Sequence, residues 1–138
     1  MSVSEKLTKY FSENEMHEIE DILEVDSSPL VLIESNIEYA FKNLFQHNKE
    51  EYEFGEDTTI TKINSLLNPE YAGNKDYCVV MGNYEVMFND DSLFKGVVIS
   101  RFNILNDNKY ELLWLTIGDE ELKHFGNEDP LEKAPWEK

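Results

Sequence analysis

The hydrophobic pattern of this chain changes its period once. Up to about Asn68 the apolar residues recur in steps of three and four, the spacing of one helix face. Beyond Lys75 they gather into short β-branched and aromatic runs separated by turn residues, the mark of strands. A block of helices followed by a block of strands predicts an α+β fold: N-terminal helices on one face of a four-stranded antiparallel meander, with a short C-terminal helix. At 138 residues and 41% hydrophobic, the chain has apolar material for one core, so a single domain over 1–138 is expected, with a polar tail from about residue 127.

Within the first block, Ser2 with Glu5 and Ser12 with Glu15 both have the spacing of a capping box, which predicts two short helices. The second would run over about 13–24 with Met16, Ile19 and Leu23 on one face. Ser28-Pro29 reads as an N-cap followed by proline at the first helical position, and the steps through Leu30, Ile33, Ile37, Phe41, Leu44 and Phe45 predict a helix to about His47. The polar stretch 46–57 reads as an exposed connection. A further short helix over about 59–68 would bury Ile60, Ile63, Leu66 and Leu67 before Asn68-Pro69 ends it.

In the second block, Gly82-Asn83 between Tyr77–Met81 and Tyr84–Phe88 has the form of a two-residue hairpin loop. The turn residues 89–92 and 106–109 then bracket strands over about 96–105 and 110–117. A helix over 119–125, stopped by Gly126, completes the prediction.

Charge constrains the function more than any motif does. Acidic residues number 29 against 12 basic ones, a formal net charge of -17. Self-repulsion of that size costs stability, so it points to a cationic partner, to solubility or to salt tolerance. Disorder is the other consequence of such a charge, but seven Tyr, eight Phe and two Trp give this chain the means to fold. A phosphate backbone requires a basic stripe, and Arg101 is the one arginine, so direct nucleic-acid binding is not expected. Anionic membranes would repel the chain as well. The N-terminus lacks the pattern of a secretion signal, and a single cysteine, Cys78, sits in an apolar run, so a reducing cytoplasm is the expected location.

Catalytic chemistry finds little footing. His17, His47 and His124 stand far apart in sequence with no second His or Cys at metal-ligand spacing. There is no Gly-x-Ser-x-Gly, no glycine-rich phosphate loop and no calcium loop; Glu121-Leu122-Lys123 matches only the triplet of a metal-dependent nuclease. The chain is therefore read as a non-enzyme that needs no cofactor. A carboxylate-bound metal enzyme, built from acids such as Asp107, Glu111 and Glu121, is the alternative from another class.

The acids are unevenly spread. Residues 1–40 carry ten against two lysines, and 50–57 carry five around two aromatics. Carboxylates ringing aromatic anchors suit an interface for a basic protein, the anchors giving affinity and the acids steering the encounter. Glu50, Glu51, Tyr52, Glu53, Phe54, Glu56 and Asp57, supported by Asp90 and Asp91, form the expected patch. In size, charge and α+β build, the chain resembles the bacterial immunity proteins, which neutralise a toxin, frequently a basic nuclease, by masking its substrate-binding surface. That resemblance is one of class and implies a basic toxin domain as partner. DNA mimicry by a row of carboxylates, directed at a DNA-binding enzyme, is the second binding reading.

Overall fold

The computed structural model describes residues 1–19, 24–26, 28–106, 109–119 and 130–132. They build an α+β architecture in which two helices, α1 (Val3–Asn14) and α2 (Pro29–Tyr52), lie against one antiparallel sheet. Four long strands form its centre: β3 (Ile60–Gly73), β4 (Tyr77–Phe88), β5 (Leu93–Ile104) and β6 (Tyr110–Gly118), adjacent in sequence order. Two short strands, β1 (His17–Ile19) and β2 (Glu24–Asp26), both pair with β6 at one edge, and β7 (Pro130–Leu131) pairs with β3 at the other. Among the described residues, no helix is long and apolar enough to cross a membrane.

Both helix starts follow the sequence signals. Ser2 and Glu5 cap each other reciprocally, the Glu5 amide donating to Ser2 Oγ at 3.1 Å. Ser28 Oγ accepts from the Val31 amide, with Pro29 occupying the first turn. From α2 the side chains of Leu32, Ile33, Ile37, Ala40, Phe41 and Leu44 enter the core. They meet alternate residues of the sheet: Cys78, Val80, Tyr84, Val86 and Phe88 of β4, Phe94, Val98 and Phe102 of β5, and Leu112, Leu115 and Ile117 of β6. From α1 come Leu7, Tyr10 and Phe11, with Phe11 stacked on Phe94 at 5.6 Å between ring centroids. On the opposite face, Val79, Met81 and Val97 are buried, and the Arg101 guanidinium lies 4.1 Å over the ring of Tyr77.

Several expected elements differ, each for an identifiable reason. The helix expected over 13–24 is replaced, where the chain is described, by β1 and β2. Ser12 lies inside α1 with its hydroxyl on the Lys9 carbonyl, and α1 ends at Glu15 with φ 64°. The unpaired edge of β6 then takes up His17–Ile19, and its ladder outweighs a short helical pattern. The helix expected over 59–68 belongs to β3. Ile60 opposes Phe88 and Ile63 opposes Val86, so β3 advances three residues while β4 advances two. Bulges have thus stretched a strand period into steps of three, and Ile60, Ile63 and Leu66 all reach the core as they would from a helix.

The hairpin expected at Gly82-Asn83 is absent, and β4 runs straight through. Gly82 does not have positive φ; a Cβ there would lie 2.6 Å from Leu66 Cδ1 and 3.0 Å from the Leu67 carbonyl, so the glycine makes room for the bulged β3. The sheet is therefore not the expected four-stranded one: β3 joins β4, β5 and β6 at its centre, the two halves of the supposed hairpin are the single strand β4, and β1, β2 and β7 extend the edges to seven strands. The expected connection 46–57 is largely the last part of α2. Pro130–Leu131, placed in the polar tail by the sequence, pairs with Tyr71 and Ala72. Beyond Asp119, the expected C-terminal helix lies outside the described residues.

Among the described residues Tyr84 is the largest fully buried side chain, and it owes its position to the glycine opposite. Gly96 pairs with it across β4 and β5, and a Cβ at Gly96 would press on the Gly118 carbonyl and lie 2.6 Å from the Tyr84 hydroxyl. Gly96→Ala is expected to lower the free energy of urea unfolding by about 2 kcal/mol. A variant as stable as the parent would contradict this packing.

Candidate functional site

The expected patch is built by the end of α2. At Asn48 the helix departs from helical geometry, φ -121° and ψ 16°, and the Asn48 side-chain Nδ2 donates to the Leu44 carbonyl at 3.0 Å. The helix continues to Tyr52, and Glu53 closes it in the left-handed conformation, φ 57°. Lys6 of α1 donates to the Glu53 carbonyl at 2.7 Å, a cation at the negative end of the helix dipole.

This backbone path separates the two kinds of side chain that the sequence places together. Glu50, Glu51, Glu53, Glu56 and Asp57 are exposed, whereas Tyr52 and Phe54 are buried. The Phe54 ring centroid lies 4.8 Å from that of Phe45, and Tyr52 packs edge-on to Tyr10 at 5.4 Å. The aromatic anchors expected for a partner are thus part of the core. Burying two rings is worth more than any hydration of a polar connection, and the αL cap turns the chain so that Phe54 returns inward. Their effect is to fix the carboxylates on a rigid base.

The turn between β4 and β5 joins this end. Asn89 donates to the Asp57 carbonyl at 2.6 Å and accepts from the Thr59 amide at 3.3 Å, so the two acidic segments named from the sequence are neighbours. Asp90 has a structural task there: its carboxylate accepts from the Val3 amide at 2.8 Å and from the Ser92 hydroxyl at 2.6 Å. These hydrogen bonds, Ser92 first and then Val3, hold its pKa below the ordinary carboxylate range. Asp91, at φ 65°, is exposed beside it. Cations are interspersed; Lys49 reaches Glu56 at 3.4 Å in an exposed pair that contributes little. A cavity of about 330 Å³ opens at this end between Lys42, Gln46, Lys49, Phe54, Glu56 and Thr58.

A polar network that sequence spacing could not reveal lies where α1, β1 and α2 meet. His17 Nε2 is 2.9 Å from Asn43 Oδ1, and His17 Nδ1 is 3.2 Å from the Tyr10 hydroxyl. With Asn43 accepting, Nε2 carries the proton and Nδ1 accepts from Tyr10. Nearby, Tyr52 donates to Glu13 at 2.5 Å and accepts from Asn14 at 2.9 Å, and the carboxylate partner above all raises its pKa to about 12. These residues lie up to 39 positions apart; Glu13 and Asn14 are brought to Tyr52 by the packing of α1 against the end of α2, and His17 is placed by β1.

Other chemistry is restricted. Cys78 is buried, and desolvation pushes its thiol up to about 12, far from a reactive thiolate. Among the described residues, no three His, Cys, Asp or Glu side chains are grouped to hold a metal ion. Of the acids named for a metal enzyme, Glu111 accepts from Asn103, while Asp107 and Glu121 lie outside the described residues, as does His124. A second cavity, of about 320 Å³, is lined by Asn83, Tyr84, Glu85, Lys95 and Asp119. Compared with family models, curated proteins and solved structures, the chain matches none.

Burial holds the pKa of His17 below its ordinary value, opposed by the hydrogen bond to Asn43. The folded state therefore favours neutral imidazole, and as pH falls below about 6.5 the unfolded chain takes up the proton first. His17 accordingly contributes a loss of stability between about pH 6.5 and its depressed folded pKa. Urea unfolding at pH 7.5 and pH 5 should show a smaller acid penalty in His17→Gln than in the parent. Equal penalties in both proteins would contradict the network.

Proposed function

We propose that the protein binds a basic protein of the toxin type, most simply a nuclease domain, and masks its active or substrate-binding surface as bacterial immunity proteins do. One observation carries this reading: five exposed carboxylates of 50–57, with Asp91 beside them, stand on a helix end fixed from below by Tyr52 and Phe54. A rigid concentration of net negative charge attracts a cationic surface at long range and disfavours anionic rivals. Compactness favours this reading over DNA mimicry, which calls for a long row of acids at phosphate spacing. The correction to the anchors refines it. The acidic end supplies steering, and the contacts that hold the complex must come from other side chains.

The test is a binding measurement with the product of the adjacent reading frame, where a cognate toxin would be encoded. A complex that suppresses that protein's activity is expected, with an association rate falling about tenfold or more as salt shortens the roughly 8 Å screening length. Reversing Glu50, Glu51 and Glu53 to Lys should slow association to a similar degree while leaving the unfolding midpoint nearly unchanged. Unaltered association kinetics would reject the acidic end as the contact.

A further inference from the structure

The anchors absent from 50–57 have a counterpart higher on the same helix. Tyr39 is 52% exposed, Val31 51% and Leu30 46%, although the inner face of α2 at Leu32, Ile33, Ile37 and Phe41 is buried almost completely. Val31, Ser35 and Tyr39 follow one another at intervals of four, and Glu34 and Glu38 lie in the adjoining row, so two apolar side chains and two carboxylates share the outward face of α2, with Leu30 at its margin. From Val31 to Tyr39 it spans about 12 Å of helix. Ser28 and Pro29 already provide the cap and first turn, and Leu30, Val31 and Tyr39 are not needed to cover the core.

We propose that this outer strip of α2 is the anchoring half of the interface and takes a cationic amphipathic segment of the partner, its apolar ridge against Val31 and Tyr39 and its Lys or Arg side chains against Glu34 and Glu38. The proposal rests on the reading of the protein as a binder of a basic partner. Charge selects the occupant. A second copy of this chain would bring Glu34, Glu38 and another net -17 against the same acids, and an anionic lipid surface would be repelled in the same way. The one cation at the strip's far end, Lys42, is held 3.6 Å from Glu38 and leaves the strip acidic. The strip and the acidic end both belong to α2, with Lys42, Lys49 and the bend at Asn48 between them, so one partner can be steered by the helix end and anchored by its first half.

The experiment uses the full chain, labelled for amide NMR, and three synthetic probes. The first is a helical Leu/Lys peptide of about 18 residues with one apolar face. The second replaces Lys by Glu, and the third is oligolysine without leucine. The Leu/Lys peptide is expected to shift amides around 30–42, with affinity reduced about tenfold in Tyr39→Ser. The unfolding midpoint of that variant should match the parent, because the side chain is exposed. Shifts confined to other regions, insensitivity to Tyr39→Ser, or equal binding of the Leu/Glu peptide would overturn the proposal. Oligolysine shifting only amides near 50–57, with no effect of adding leucine, would defeat the anchoring strip while leaving the acidic end intact. Absence of binding by either cationic peptide at low salt would defeat both.

Discussion

The structure depends on the seating of one aromatic ring. Phe41, fully buried at the middle of α2, lies 5.8 Å from both Tyr84 and Phe88, 5.9 Å from Phe45 and 6.2 Å from Phe94, measured between centroids. It therefore fastens the long helix to two central strands at once. Most of these contacts are edge-to-face, the geometry that adds attraction to simple burial. From that point the helix direction is set. Its last turn carries Tyr52, and the αL cap at Glu53 returns Phe54, into a second aromatic group with Tyr10 and Phe45, while the acidic residues around them are turned outward.

The acidic end is accordingly a product of core packing rather than of a flexible polar loop. Three separate segments meet there: the start of α1, the end of α2 and the β4–β5 turn. Lys6, Asn89 and Asp90 tie them through backbone groups rather than through exposed ion pairs. Such ties persist when salt screens the surface, so the patch keeps its shape even as its attraction weakens. This separation of roles, with buried rings for geometry and exposed acids for field, is what a steering surface needs.

Much of this was legible in the sequence, and the failures have a common physical origin. Ser2, Glu5, Ser28 and Pro29 act locally, within one helix turn, and their reading survived intact. Ile60, Ile63 and Leu66 misled because bulges gave a strand the step of a helix, and Gly82 misled because a glycine required by close approach looks identical to one required by a turn. At the site, the exposed acids were legible from composition, whereas the inward turn of Tyr52 and Phe54 was not. Nothing local distinguishes an aromatic in a polar stretch that faces water from one that closes a core formed by residues 40 positions away. The outward strip at Val31 and Tyr39 was hidden for the same reason, since its exposure depends on which face α2 gives to the sheet.

The central claim is that the negative charge of this protein is concentrated where the folded chain directs it. Paired paramagnetic cosolutes, one cationic and one neutral but otherwise alike, report the local potential at each amide through their relative relaxation enhancements. Cationic enrichment should peak at amides 50–57 and 90–92, remain elevated along the outer strip of α2, and be weaker around the Arg101 face of the sheet. Enrichment of equal size over the whole surface would contradict the account.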